Sequence, residues 1–431
     1  MTMTCLRAKC ESLAHAEAEL ARRLDHRLDV QLFPYKPGLV LLPPHVLQAL
    51  EDRFGTAQAR SVLVTAGLRD AKPESVATAI AWLLRHAEDW NSNVACSAAA
   101  GNLAEADART WHLNLCKVRE AWAHLGGPYG FDWGEIAVGQ IDTGYTEHPA
   151  FGFPDAPSVD RVRARTFLAG SPPGDGRDPL TGGSGGHGTS SGSLITAFDL
   201  STPCLGVAPR VPVIPVRIND CVVIDQRADE FEAAVRYLVD EVRVGVINVS
   251  MGTFGRLTAP RAIGRAVDHA YERGVIVVGA AGNVPVPDWP AFPARLARCI
   301  AVAGVTRECL RWSLSSYGHW VDISGPAKNI WRAATSGPGD FRFTADWGGT
   351  TFAAAMTSGA AALWLLAHAA EIAVRYPEPW HRVEAFRLMA RRTALRPSGW
   401  DDRAGLGAGV LDVASLMDQR KLPAVGDLNQ N

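Results

Sequence analysis

From residue 111 onward the sequence repeats one pattern that leaves few folds open. Short, almost uninterrupted apolar runs alternate with stretches that carry a single apolar face. The runs are IAVGQID (136–142), VPVIPVRI (211–218), VGVINVS (244–250), GVIVVGAAG (274–282) and CIAVAGV (299–305). A strand with one wet face alternates apolar and polar side chains, so strands without alternation must be covered on both sides. Between them, residues 227–243 and 259–274 place apolar side chains at helical spacing. Strands alternating with such helices predict an α/β fold with a doubly wound parallel sheet and helices on both faces. In sheets of this kind the working residues sit just past the carboxyl ends of strands.

The first hundred residues read as a separate, smaller α/β domain. SLAHAEAELARRL (12–24), HVLQALEDRF (45–54) and ESVATAIAWLLRHAEDW (74–90) are helix-like, whereas GLVLLP (38–43) and RSVLVTAG (60–67) are strand-like. Residues 96–108 are rich in small side chains without a firm period and are read as a linker. The expected division is therefore 1–108, 109–418 and a polar, loose tail at 419–431.

Composition removes several classes of function. At 431 residues the chain exceeds one ordinary domain, and 47% hydrophobic with 20% charged residues is globular. The formal net charge is -2 with no basic block, so no nucleic-acid partner is expected. The N-terminus lacks the apolar run of roughly 7 to 15 residues that a secretory signal needs. No stretch reads as a membrane span, so the expectation is a cytoplasmic protein without a membrane partner. The 8 cysteines are scattered and are expected to be mostly buried thiols. Neither C-x-x-C nor H-E-x-x-H occurs, so no metal and no cofactor is expected.

Four residues stand out chemically. Asp142 ends a buried strand before Thr143 and Gly144, a turn that would aim its carboxylate off the sheet; it is equally an ordinary turn former. His187 lies in GGSGGHGTSSGSLITA, where glycines permit close backbone approach; a phosphate loop is not supported because no G-K-[ST] follows. Asn283 follows VVGAAG, where its amide could donate to a developing oxyanion or simply shape a turn. Thr351 begins the alanine-rich TTFAAAMTSGAAAL, as a helix cap or as a reacting hydroxyl at the positive end of the helix dipole.

Singly these signals are weak, but their order is that of carboxylate, base, oxyanion donor and hydroxyl. VGQIDTGYTEHP, GGHGTSSGSLI and GGTTFAAAMTSG resemble the aspartate, histidine and nucleophile motifs of the subtilisin-like serine proteases, the subtilases. INVSMG, AAGN, AFPARLARCIAVAGV, SSYGHWVDISGPAKNI and GAGVLDVASLM follow in the matching order, so the likeness runs from about Trp111 to Met417. The resemblance implies a serine-type endopeptidase acting on polypeptides. Asp142, His187 and Thr351 would form the triad, and Asn283 with the backbone N–H of residue 351 the oxyanion hole. Ser250, Met251 and Gly252 would pair with an extended substrate, and Ala280, Ala281 and Gly282 would wall an apolar pocket.

Two departures matter. Ala355 replaces a proline, which a helix tolerates. Thr351 replaces the serine: the hydroxyl is kept, but a methyl is added beside the incoming carbonyl and χ1 is restricted. The outcome is either a slowed protease or a silenced pseudoprotease, or a substrate-trapping variant, that binds peptides or a partner. The calcium loop frequent in the family falls at AFDLSTPCLGVAP, where Leu200 stands at a ligand position and Asp199 is the carboxylate nearby. Calcium needs six to eight oxygens, so none is expected. The N-terminal domain is read either as a propeptide-like inhibitor or as a permanent recognition domain.

Overall fold

The computed structural model describes residues 109–168, 175–181, 183–253, 258–289 and 291–431, with 4–8, 33–36, 39–42, 50, 52–55, 58–59 and 68–70 of the N-terminal part. The chain divides into compact units Met1–Ala98 and Ala99–Asn431, a boundary inside the predicted linker. In the first unit β1 (Thr4–Ala8), β2 (Phe33–Lys36), β3 (Leu39–Leu42) and β4 (Leu68–Asp70) form an antiparallel sheet in the order β2-β3-β1-β4. The strand expected at GLVLLP is β3, and residues 50 and 52–54 are helical as HVLQALEDRF suggested. The elements expected at 12–24, 60–67 and 74–90 lie outside the described residues.

In the second unit all five apolar runs become parallel strands. β5 (Val138–Asp142), β6 (Arg165–Thr166), β7 (Val213–Arg217), β8 (Val246–Val249), β9 (Ile276–Ala280), β10 (Ile300–Val305) and β11 (Ile323–Pro326) lie in the order β11-β10-β9-β8-β5-β7-β6. Every pairing within this sheet is parallel. Alternate residues face opposite layers. Val138, Val246, Ile276 and Val278 join one core, while Ile141, Ile247, Val249 and Val277 join the other. The double coverage is why these strands carry no polar face.

Helices α1 (Trp111–Leu115), α2 (Val118–His124), α3 (His187–Thr196), α4 (Ala228–Arg236), α5 (Arg261–Glu272), α6 (Thr350–Arg375), α7 (Pro379–Thr393) and α8 (Val413–Leu416) complete the unit. α4 continues as a π-helical segment over Tyr237–Val242, and α4 and α5 pack together over the second core. α6 lies against β8, β9, β10 and β11 on the opposite face. It is long and apolar enough to cross a membrane by length and composition, but 89% of its apolar window is buried here. Alanines at 353–355 and 360–362 keep it thin enough to lie against the sheet. A small antiparallel hairpin, β12 (Arg332–Ala334) and β13 (Arg342–Thr344), stands beside α3.

The tail does not behave as its polar composition suggested. Leu422 and Leu428 are buried, Arg375 Nη1 donates to Leu422 O at 3.0 Å, and Tyr376 Oη donates to Pro423 O at 2.8 Å. Two leucines are enough to dock the segment because the neighbouring aromatic and arginine side chains take up its backbone carbonyls. Of the cysteines whose side chains are described, Cys116, Cys204 and Cys299 are buried thiols, and Cys221 and Cys309 are partly buried, also unpaired.

Candidate active site

β5 ends at Asp142, where its pairing with β7 and β8 runs out and the crevice of the doubly wound sheet opens. The carboxylate is 1% exposed, and Oδ1 accepts from Thr143 N at 2.8 Å and from His187 Nδ1 at 2.7 Å. Oδ2 accepts from Ser191 Oγ at 3.1 Å, so neither oxygen of this buried charge is left bare. His187 opens α3. With Nδ1 donating to the carboxylate, Nε2 is left as an acceptor, 3.3 Å from Thr351 Oγ1.

The two loops meet closely for a steric reason. A Cβ at residue 188 would stand 1.9 Å from Gly144 O, so only glycine lets α3 begin against the Asp142 turn. Thr143 stitches them together: its Oγ1 donates to Asp178 Oδ2 at 2.6 Å and accepts from Gly188 N at 3.1 Å. Asp178 also takes the N–H of Gly186 at 2.8 Å, and burial pushes its carboxyl pKa up. Thr143, Asp178 and Ser191 were not singled out from the sequence. Ser and Thr are common in such loops, and only their partners mark these ones.

Thr351 sits in the first turn of α6, whose N-cap is Gly349 and has no side chain to offer the free amides. The cap comes from far away in sequence. Asn283 Oδ1 accepts from Thr350 N at 3.0 Å and from Thr350 Oγ1 at 2.9 Å, while Thr350 Oγ1 accepts from Gly282 N at 3.1 Å. With the amide oxygen doubly engaged, Nδ2 is the donor end of Asn283 and has no partner among the described residues. It belongs to the same corner as the N–H of Thr351, which has no acceptor within the helix.

The expected substrate residues keep their side chains inward, and the backbone of Gly252 is engaged within the chain. Ser250 is 4% exposed and its Oγ donates to Thr351 O at 3.3 Å, so it braces the hydroxyl-bearing helix. The Met251 side chain is buried in the core of the α4–α5 face. Both backbone groups of Gly252 are taken: its N–H donates to Val222 O at 3.0 Å and its C=O accepts from Ile224 N at 3.1 Å. The position foreseen for an added substrate strand is held by the chain's own residues 222–224. Ala280 and Ala281 are likewise core residues, since the continuation of β9 turns their methyls inward, and Gly282 N is held by Thr350. Sequence order alone could not see these occupancies, because the 222–224 segment follows a different strand.

Beside the site, the β12–β13 hairpin is bonded to α3 through Ser190 Oγ to Ala333 O at 2.7 Å and Ala333 N to Ser193 Oγ at 3.1 Å. His148, six residues past Asp142, lies edge-on to Phe341 and Phe343. Its Nδ1 accepts from Ala150 N at 3.0 Å, which leaves Nε2 to donate to Arg342 O at 3.0 Å. Burial lowers the pKa of this ring and keeps it neutral.

In the segment where the family's calcium loop would lie, Asp199 Oδ1 accepts from Ser201 N at 2.8 Å and Ser201 Oγ at 2.7 Å.

A carboxylate, an imidazole and an alcohol in hydrogen-bonding sequence, at the carboxyl rim of a doubly wound sheet, are the parts of an acyl-transfer hydrolase. The family model of the subtilases (peptidase S8) matches residues 134–407. The chain belongs to the subtilase family, a family of serine endopeptidases. It is 30% identical to subtilisin BL of Lederbergia lenta over 256 residues, 58% of this chain and 82% of that protein. It is 29% identical to the thermostable alkaline protease of Halalkalibacterium halodurans over 224 residues, 51% of this chain and only 54% of that one. Among solved structures, a protease of Pseudoalteromonas arctica superposes with a TM-score of 0.58 at 21% identity, covering 72% of this chain and 96% of that one.

Proposed function

We propose that the chain hydrolyses peptide bonds by acyl transfer, with Thr351 as nucleophile. The observation that carries this reading is one imidazole bonded to both partners, at 2.7 Å to Asp142 and 3.3 Å to Thr351. Thr351 Oγ1 attacks the scissile carbonyl carbon as its proton passes to His187 Nε2, and Asp142 holds the resulting imidazolium. Asn283 Nδ2 and the Thr351 N–H face the oxyanion. His187 then hands the proton to the leaving amine, the C–N bond breaks, and an ester on Thr351 remains. Water attacks that ester with the same base and frees the hydroxyl. A 3.3 Å contact is long for an O–H donor, in keeping with catalytic bonds that tighten only when substrate is bound.

A second reading has its own support. Threonine adds a methyl next to the attacking oxygen and restricts its χ1, and the backbone groups of Gly252 are already paired, both of which favour a peptide-binding scaffold that does not cut. A fluorophosphonate probe and casein separate the two, applied to the parent, Thr351→Ser and His187→Ala. Labelling of the parent that vanishes in His187→Ala supports the working threonine. Labelling and cleavage by Thr351→Ser alone supports the scaffold, and labelling by neither overturns the triad.

The N-terminal unit is proposed as an intramolecular inhibitor of this site, supported by its compactness and its place before the protease unit. Mass spectrometry of Thr351→Ser protein should find a cut within 96–108. An intact mass after long incubation of active enzyme favours a permanent recognition domain.

A further inference from the structure

The buried carboxylate of Asp142 has two oxygens, and the one turned away from His187 depends on a hydroxyl that has other choices. Ser191 Oγ lies 3.1 Å from Asp142 Oδ2, 3.1 Å from His187 O and 3.3 Å from Gly188 O. One proton cannot serve three acceptors. A fourth neighbour bears on the choice: Gln140 Nε2 donates to Ser191 Oγ at 2.8 Å and to Gly188 O at 2.7 Å. An amide nitrogen can only donate, so Ser191 Oγ must be the acceptor there. The same nitrogen supplies Gly188 O, and the two helix carbonyls also belong to the ladder of α3. The charged carboxylate is then the strongest acceptor left for the serine proton.

The geometry follows from the two periodicities. Gln140 and Asp142 are two apart on β5 and share a face, while His187 and Ser191 are four apart on α3 and share a side. Gln140 and Asp142 are 1% exposed and Ser191 is 0% exposed. Gly192 completes the arrangement, since a Cβ there would stand 2.6 Å from Gln140 Oε1. A glutamine inside an apolar strand run is costly unless it is bonded, and its bonds lead to the carboxylate.

We propose that Gln140 is a positioning residue. Through Ser191 it orients a donor onto Asp142 Oδ2, which fixes the carboxylate so that Oδ1 stays on His187 Nδ1. The kinetic part of this proposal rests on the reading of His187 as general base. Without Gln140 the serine proton is free to turn to the carbonyls, and Asp142 becomes more basic and more mobile. The charged form of His187 is then favoured and its pKa rises.

The test uses full-length protein on the Thr351→Ser background, with Gln140→Leu, Ser191→Ala and the double variant. NMR of the His187 ring and its Nδ1 proton is read alongside kcat/KM against pH. Gln140→Leu should raise the His187 titration and the acid limb of kcat/KM by about half a pH unit and lower kcat about tenfold, with KM unchanged. Ser191→Ala should do the same, and the double variant should be no worse than Ser191→Ala alone. A lowered Tm with an unmoved His187 titration would reduce Gln140 to packing and overturn the proposal, as would additive losses. Should Gln140→Leu fail to fold, Ser191→Ala supplies the same titration, and its unchanged value would count equally against the relay. Activity surviving in His187→Ala would instead overturn the general-base reading while leaving the NMR result to stand.

Discussion

The Asp142–His187 side of the rim and the Thr351 side differ in how completely they are furnished. Around Asp142 each carboxylate oxygen has a donor, the loop carrying His187 is tied down by Thr143 and Asp178, and a glycine at 188 permits the contact. Across the cleft, Asn283 is oriented just as firmly by Thr350, but the hydroxyl comes with a methyl, and residues 222–224 lie on Gly252. The bonds around Asp142 and His187 are complete, while the edge at Gly252 is already occupied.

The largest test of that contrast removes the base. His187→Ala should lower hydrolysis of a fluorogenic peptide by on the order of 10^4-fold, since triad members act as a unit. A loss below tenfold would mean that the furnished side does no chemistry, and the contrast would lose its meaning. Thr351→Ser attacks the other side. If the methyl costs about 1 to 3 kcal/mol of crowding, kcat should rise roughly five- to 150-fold. An unchanged or lower kcat would show that the methyl is not the restriction.

A smaller gain is expected from loosening the 222–224 segment. Two backbone bonds join it to Gly252, each worth about 1 kcal/mol net, so weakening them with Val222→Gly and Val223→Gly should raise kcat/KM for a tetrapeptide substrate about tenfold. A blocked single-residue ester, too short to need that edge, should be cleaved as before. Equal gains on both substrates would place the effect in the triad and break the division between access and chemistry.

Much of the frame was legible because it follows from local rules. The Val/Ile runs at 136–142, 211–218, 244–250, 274–282 and 299–305 could hardly be anything but strands covered on both faces, and chain order brought Asp142, His187, Asn283 and Thr351 into one pattern. What stayed hidden depended on partners distant in sequence. Gly252 reads as a free edge until Val222 and Ile224 are seen beside it, and Ala281 reads as a pocket wall until its methyl is found buried in the core. The tail reads as loose until Leu422 and Leu428 find their sites. Gln140 passes as one more residue of the 136–142 run, because nothing in the sequence names Ser191 as its neighbour.

The smallest expected effect concerns how the furnished side is anchored. His148 joins the loop after Asp142 to the β12–β13 hairpin, and it does so neutral, because Nδ1 faces an N–H and could not donate if protonated. Burial lowers its pKa in the folded chain, with the backbone of Arg342 and Ala334 and the charge of Asp340 pulling the other way. The unfolded ring therefore binds a proton that the folded ring refuses below about pH 6.5, and stability must rise with pH there. The contribution is complete above about pH 6.5 and is lost as pH falls toward the depressed value, by at most about 1.4 kcal/mol per pH unit. His112, pushed down to about 3 by burial, and His368, also lowered by burial, add slopes of the same sign, so the parent alone cannot isolate His148. His148→Gln can: its amide oxygen can take the Ala150 N–H and its nitrogen can serve Arg342 O without titrating. Urea midpoints at pH 7.5 and 5.5 should separate more widely for the parent than for this variant. Equal separations would mean that the hairpin is held by Ser190, Ser193 and the two phenylalanines, with His148 carrying none of the anchoring.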